Sequence, residues 1–264
     1  MLNRDCKDGS KQVTDAAKND IESNSSDDAE GTDGSRGRDY YDIYDKAQDR
    51  SRDAFIINNF DVAIEILNKA INELGEQPDN NSMIGDLYAD CADIYRHIGD
   101  RDSEMAVITK VIELRGFDWD YQKRAQLYEK MGDYDKAMAD YTTALEREKS
   151  PESYLWRGAV FFKKKDYDSA ISDFLNSVKC CSWCGDMPTD LHGPARRLFR
   201  KSNGKRCGEC LESFYMCGLS YHRKGDLRSA IKYLNKALWR DSDFEKAKNL
   251  RKYLLAEEKR SVKR

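Results

Sequence analysis

Two Cys-x-x-Cys pairs lie close together in the second half of the chain, and their chemistry points to a metal. Cys181 and Cys184 form the first pair, and Cys207 and Cys210 form the second pair after an interval of 22 residues. Each pair puts two thiols on one tight turn, and two facing turns supply the four thiolates of a tetrahedral zinc site. Such a site is structural because it has no open position for a substrate. The sequence therefore predicts a structural Zn²⁺ bound by these four cysteines.

Other assignments of these thiols stay open at this point. Cys180 could replace Cys181 as a ligand, and His192 could replace any one cysteine. The thiols could also be incidental residues of a long loop, or a thiol–disulfide redox pair, although no strand–helix unit typical of thioredoxin-like sites surrounds either pair. The remaining cysteines are assigned structural or idle roles: Cys6, Cys91 and Cys217.

The stretch between the two pairs is also basic. Residues 179–211 carry seven Lys or Arg against three Asp or Glu. The cationic side chains concentrate in one patch, which consists of Arg196, Arg197, Arg200, Lys201, Lys205 and Arg206. A basic loop fixed by zinc could bind phosphates, an acidic partner or the acidic N-terminal segment of the chain, or it could be a solvated surface. Binding of nucleic acid through this patch is therefore an alternative hypothesis for the function.

The rest of the chain is built from a repeated pattern of aromatic and small residues. In residues 130–148, Gly132, Tyr134, Ala137, Tyr141 and Ala144 follow the spacing of a helix preceded by a turn. Preceding aromatic and small residues, from position 121 to position 128, complete a two-helix unit. Aligned aromatic residues then recur at an interval of 33, at positions 88, 121 and 154, and the next follows after 60, at position 214. The longer interval indicates an insert between the fourth and fifth units.

This pattern resembles the tetratricopeptide repeat, a unit of two helices with a period close to 34 residues. The resemblance implies an all-α fold, a right-handed superhelical solenoid of about five helix pairs with a C-terminal capping helix. The small residues are expected to let paired helices approach closely. Glu104 stands where the motif expects Ala, so the second pair is expected to pack less closely. The predicted segments are a disordered acidic tail (1–38), repeats one to four (39–178), the Cys-rich basic insert (179–210), repeat five (211–242), the capping helix (243–258) and a basic tail (259–264).

Composition excludes several classes of protein. The 264 residues carry a net charge of −3, so the overall charge does not favour nucleic acid or a membrane surface. No segment has the ~18–20 apolar residues of a transmembrane helix, and the N-terminus lacks the apolar core of a secretory signal. A cytoplasmic or nuclear location is expected. No catalytic motif is found, since HExxH, GxSxG, a phosphate-binding loop and a dinucleotide fingerprint are all missing, so we expect no enzymatic activity.

The resemblance also implies a concave groove, lined by the first helix of each repeat, that binds a protein or peptide partner. Helical periodicity assigns the lining to Trp119, Gln122, Gln126, Leu155, Trp156, Phe162, Tyr215 and Leu219. Chaperone-binding members of the family hold the C-terminal carboxylate of their ligand with Lys, Arg and Asn. In repeats three to five the matching positions are Gln122, Gln126, Trp156, Glu212 and Met216. These residues do not form the cationic site that a carboxylate needs, so a chaperone tail is disfavoured.

The leading hypothesis is a non-catalytic scaffold or adaptor that binds a partner protein through the groove and carries a structural zinc site. The first alternative is a nucleic-acid-associated protein that uses the basic insert. The second alternative is a redox role for the Cys-x-x-Cys pairs.

Overall fold

The computed structural model describes residues 33–75, 77–181 and 207–261, which are organised into α-helices and contain no β-strand. The predicted all-α class is confirmed. The first helices are α1 (Asp33–Ile56), α2 (Phe60–Leu74), α3 (Asn81–Ile98), α4 (Arg101–Leu114) and α5 (Asp118–Met131), with a 3₁₀ turn at Pro78–Asn80. They are followed by α6 (Tyr134–Arg147), α7 (Pro151–Lys163), α8 (Tyr167–Cys180), α9 (Gly208–Arg223), α10 (Leu227–Arg240) and α11 (Glu245–Ser261). Along the described ranges, no helix has both the length and the apolar character needed to cross a membrane.

The described residues fall into two compact units that are divided between Gly132 and Asp133. The first unit holds α1 to α5, and the second holds α6 to α11. Helix α1 begins at Asp33, so residues 33–38 of the predicted disordered tail are helical, and residues 1–32 lie outside the described residues. The division falls inside the third predicted repeat, between its two helices.

An aspartate starts the second helix in four of the repeats. Its carboxylate accepts a hydrogen bond from the backbone N–H three residues ahead, which satisfies one of the unpaired donors at the helix start. The four caps are Asp100, Asp133, Asp166 and Asp226, with donor–acceptor distances of 3.1, 3.2, 3.2 and 2.9 Å. Hydrogen bonds from the side chain and the backbone N–H of the residue three ahead lower the pKa of each cap. In the first repeat the cap position is Asn59, which forms no such bond.

The residue before each aspartate has a left-handed backbone. Gly99, Gly132 and Gly225 have φ of 88°, 82° and 84°, which glycine adopts without steric cost. In the fourth repeat the same position is Lys165 with φ of 64°, a conformation that side chains with a Cβ disfavour. The repeated turn therefore keeps its geometry even where the residue type does not favour it.

Small residues allow paired helices to approach, as predicted. A Cβ added at Gly158 of α7 would lie 2.8 Å from the Phe174 ring of α8, and one added at Gly218 of α9 would lie 2.8 Å from Leu234 of α10. Both distances are too short for carbon atoms. Ala170 and Ala230 are fully buried in the partner helices. In these two helix pairs, α7–α8 and α9–α10, a large side chain of one helix thus packs directly on a glycine of the other.

The first unit has one apolar core between α1, α2 and α3 and a smaller one around Ala92, Ile108 and Leu127. Leu67, Leu74 and Leu87 are buried in the first of these cores together with Cys91. Burial, followed by the nearby charge of Asp90, raises the pKa of the Cys91 thiol to about 12. In the second unit, burial raises the pKa of the Cys217 thiol to about 12. Both cysteines remain neutral thiols in the packed core, in line with the structural role predicted for them.

Two buried carboxylates inside helix pairs are neutralised by arginine. Glu104 in α4 is 3% exposed and accepts a hydrogen bond from Arg96 Nε in α3 at 2.7 Å. The polar residue at this expected alanine position therefore has a charged partner within its own pair. In the second unit, Arg157 in α7 donates two hydrogen bonds to Asp173 in α8, at 2.8 and 3.0 Å. Such bidentate pairs fix the register of two helices as well as satisfying charge.

Candidate functional site

Three cysteine sulfurs converge where α8 ends and α9 begins. Cys181 follows the last residue of α8, Cys207 is the N-cap of α9, and Cys210 lies in its first turn. The Sγ atoms of these three residues all lie within 4.8 Å of one another, and those of Cys181 and Cys207 are 3.3 Å apart. Cys181 and Cys210 are buried, and Cys207 is partly exposed. The helix ends thus bring Cys181, from the first Cys-x-x-Cys pair, next to Cys207 and Cys210, which form the second pair.

The Cys207 sulfur caps the N-terminus of α9. The N–H of Cys210 donates to Cys207 Sγ at 3.4 Å, and the sulfur lies at the positive end of the α9 dipole. The Cys207 thiol also lies 3.2 Å from Glu209 Oε2, to which it can donate while it is protonated. A divalent cation bound to the sulfur would replace that proton.

The spacing of the sulfurs suits a metal. In a tetrahedral site with Zn–S bonds of about 2.3 Å, the sulfurs lie about 3.8 Å apart. The three described sulfurs meet that spacing closely enough for a small adjustment of side-chain rotamers. The 3.3 Å distance between the Sγ atoms of Cys181 and Cys207 is longer than the ~2.05 Å of a disulfide bond. Since all three ligands are soft sulfurs, the set favours zinc over calcium or magnesium.

Several predicted site residues lie outside the described residues. These are the fourth predicted ligand Cys184, the possible substitute His192 and the basic patch Arg196, Arg197, Arg200, Lys201, Lys205 and Arg206. Of the two adjacent cysteines at the end of α8, Cys181 is the one in the sulfur cluster. A fourth ligand three residues after Cys181 remains a prediction.

The second unit brings together four of the predicted groove residues. Leu155 and Phe162 lie on α7, and Tyr215 and Leu219 lie on α9, which packs against α7. All four are half-buried. We call these four residues the α7–α9 surface. Leu155 and Phe162 contact the core formed by Phe174 and its neighbours, so the surface is the outer layer of a packed cluster.

Part of this surface already has a neighbour within the chain. The ring of Tyr215 meets Phe244, just before α11, in an edge-to-face contact with centroids 5.8 Å apart. Glu212, one of the positions examined for a carboxylate clamp, forms an ion pair with Lys246 of α11 at 3.3 Å. The predicted groove residue Trp156 packs near Tyr141, with ring centroids 6.2 Å apart. Phe244 and the C-terminal helix therefore cover the part of the surface around Tyr215. Leu155, Phe162 and Leu219 take no part in these contacts.

The other predicted groove residues belong to α5 in the first unit. Trp119 is 46% exposed and packs on Phe117, with ring centroids 4.5 Å apart. Gln122 donates to Asp118 at 3.2 Å, and Gln126 is half-buried. The exposed face at the start of α5 is thus aromatic and acidic.

Sequence reasoning missed a cleft between α1 and α3 of the first unit. The cleft has a volume of about 160 Å³, and Phe55 and Asp90 are among its lining residues. Gln48 donates to the Asp90 carboxylate at 3.0 Å, and burial raises the pKa of Asp90. Asp86, Asp90 and Asp93 follow helical spacing on α3, a signal that was present in the sequence but lay in a repeat with no cysteine or insert to attract attention.

Comparison with protein families identifies the repeat. A tetratricopeptide repeat model matches residues 123–181, and a second tetratricopeptide repeat model matches residues 211–244. The two matches flank the cysteine-rich interval. A search of curated protein sequences finds no match to this chain.

Solved structures show the same fold at low sequence identity. BtubC (BKLC) from P. vanneervenii has a TM-score of 0.59 at 15% identity, covering 93% of this chain and 92% of its own. A MamA protein has a TM-score of 0.56 at 16% identity, covering 77% of this chain and 94% of its own. YrrB, described as a tetratricopeptide repeat protein with an unusual peptide-binding site, has a TM-score of 0.54 at 16% identity, with coverages of 76% and 88%. These similarities establish the helical-repeat fold alone.

Proposed function

Since this chain is a tetratricopeptide repeat protein, we propose that it is a non-catalytic scaffold that binds a protein or peptide partner through the α7–α9 surface. The observation that carries the proposal is the set of apolar side chains Leu155, Phe162 and Leu219, half-buried on two adjacent first helices. A partner side chain could bury the remaining apolar area of these residues, and burial of apolar area is the main source of affinity at such surfaces.

The chemistry of the surface favours an apolar segment over a free carboxylate. The clamp positions of α9 hold Glu212, paired with Lys246, and Met216, which packs in the core beside Cys217. Neither can donate to a carboxylate. The ligand we propose is therefore an internal, apolar stretch of a partner, and a chaperone C-terminal tail is not expected to bind.

The second part of the proposal is a structural zinc site between repeats four and five. Its support is the approach of Cys181, Cys207 and Cys210 at the ends of α8 and α9. Cys184 is the fourth ligand in this proposal. A bound zinc would tie both ends of the 25 residues from 182 to 206 to the repeat framework. We propose that the metal shapes the insert beside the binding surface and takes no part in catalysis.

The partner-binding proposal is tested by charge insertion on the surface. Leu155→Asp and Leu219→Asp should each lower the capture of partner proteins at least tenfold in quantitative affinity purification, because a carboxylate would be buried in the apolar contact. Ala139→Asp is the matched control, since Ala139 is exposed on α6, a second helix. Circular dichroism checks that each variant retains its helices. A partner set that is unchanged in both surface variants would overturn the proposal.

A further inference from the structure

Helix α10 carries an uncompensated row of positive charge. Its fourteen residues, Leu227–Arg240, contain no Asp or Glu. The four basic side chains occur at every fourth position: Arg228, Lys232, Lys236 and Arg240. Residues four apart lie on the same side of a helix, and each step advances about 6 Å along the axis. We call these four residues the α10 row.

Several other cations of the same unit are paired with carboxylates. Lys224 contacts Asp168, Lys246 contacts Glu212 at 3.3 Å, and Lys248 contacts Glu245 at 2.7 Å. In contrast, no member of the α10 row forms an ion pair with any carboxylate of the described chain. The row is therefore a charged surface whose counter-charge must come from outside these residues.

Aromatic rings contact three members of the row, which are Lys232, Lys236 and Arg240. Tyr221 and Tyr233 stack with centroids 5.3 Å apart and an interplanar angle of 7°, and Phe214 follows Tyr233 at 6.4 Å. Lys236 Nζ lies 4.9 Å from the Tyr233 centroid, and Arg240 Cζ lies 5.1 Å from the Phe214 centroid. Cation–π contacts of this kind restrict long side chains before any ligand binds, which reduces the entropy lost on binding.

The positive charges of the row also repel one another. Burial, together with the positive charges of Lys232 and Arg240, lowers the pKa of Lys236. An anion bound between these side chains would relieve that repulsion. The gain would be largest for a ligand that presents several negative charges in succession.

We propose that the α10 row and its aromatic column form a binding surface for single-stranded nucleic acid. Phosphates would pair with the four cations along the helix, and bases would contact the half-buried rings of Tyr221 and Tyr233. Single-strand binding surfaces combine a line of positive charge with aromatic side chains in this way. An acidic peptide would use the cations but would gain nothing from the aromatic column, so the combination favours a nucleic acid. This surface lies on a second helix, is separate from the α7–α9 surface and does not depend on the zinc proposal.

Fluorescence anisotropy with a labelled 20-nucleotide poly(U) RNA tests the proposal on the full-length chain. Four phosphate contacts predict a slope of about −2.8 in a plot of log K against log salt, at about −0.7 for each phosphate on a single strand. The double variant Lys232→Glu/Lys236→Glu should weaken binding at least tenfold at low salt. The double variant Lys232→Gln/Lys236→Gln, which only removes charge, should lower the magnitude of the slope by about 1.4.

The matched control is Lys224→Glu/Lys246→Glu, which reverses two cations of the same unit that are already paired with carboxylates. It makes the same change in net charge and should lose much less affinity. Circular dichroism verifies the fold of every variant. The proposal is overturned by an absence of binding at low salt, by an equal loss in the control, or by competition from poly-glutamate as strong as that from unlabelled RNA, since the last result would assign the surface to acidic proteins.

Discussion

Two junctions between repeats cap the helix that follows with different atoms. The junction between α6 and α7 uses an oxygen, and the junction between α8 and α9 uses a sulfur. Between α6 and α7 only three residues intervene, and Ser150 Oγ caps α7 by accepting from the Ser153 N–H at 3.1 Å. Between α8 and α9, Cys207 Sγ takes that role and accepts from the Cys210 N–H at 3.4 Å. Sulfur is a weaker hydrogen-bond acceptor than a hydroxyl oxygen. As a helix cap alone, the cysteine is the poorer choice.

The difference in capping atom reflects a difference in what stabilises each junction. The short junction needs no ligand, because its helices are held by a packed core, an oxygen cap and buried ion pairs. At the longer junction, the three sulfurs have the half-buried Val178 as their main apolar neighbour. Sulfur becomes the better choice only if it also binds a soft cation. The repeat framework should therefore fold independently of metal, while the cysteine junction should depend on it.

The largest expected effect comes from removal of the metal. We expect one zinc per chain in protein purified without added metal. Free zinc at a thousandfold above its Kd should raise the free energy of unfolding of the cysteine junction, and not that of the repeat framework, by about 4 kcal/mol. Elemental analysis, thiol counting and thermal unfolding with and without a chelator measure these quantities.

A pair of adjacent cysteines provides the control for this prediction. Cys181→Ser should abolish zinc binding, because Cys181 lies in the sulfur cluster. Cys180→Ser, one residue earlier at the end of α8, should retain the metal. Equal zinc content in the two variants would contradict the prediction, because Cys181 would then not be a zinc ligand. The junction would in that case be stabilised by packing and hydrogen bonds alone.

The buried ion pair Arg157–Asp173 gives the next largest effect, and it tests the framework. Asp173→Asn leaves the Arg157 guanidinium half-buried without its counter-charge, which should cost about 3 kcal/mol of unfolding free energy. Denaturant titration measures the loss. The control is Asp135→Asn, which removes the exposed partner of Lys164 and should have a much smaller effect. If Asp173→Asn also released the zinc, the framework and the junction would not be independent.

The sequence was sufficient for the repeats and for part of the site, for identifiable reasons. The close approach of Gly158 to Phe174 follows from residue sizes at helical spacing, so a pattern of small and aromatic residues predicts it. The convergence of Cys207 with Cys181 could be inferred because the two pairs flank one insert. The Arg157–Asp173 pair and the neutralisation of Glu104 by Arg96 were not predicted, because they depend on which charged side chains face each other after the helices pack. The α10 row was visible as a spacing, but its lack of carboxylate partners is a property of the fold.

The smallest effect concerns the turn that both units share. Lys165 occupies a left-handed position that is glycine in the equivalent turns of the second, third and fifth repeats, so Lys165→Gly should raise the free energy of unfolding by about 1 kcal/mol. Gly225→Ala makes the opposite change in the fifth repeat and should lower it by about 1 kcal/mol. Urea unfolding of the two variants, with zinc content held constant, measures both. Because the turns lie at the opposite end of their helices from the cysteines, neither change should alter zinc binding. A stabilisation by Lys165→Gly that disappears after chelation would show that the turn and the cysteine junction are coupled, and it would contradict the division between a self-sufficient framework and a metal-dependent junction.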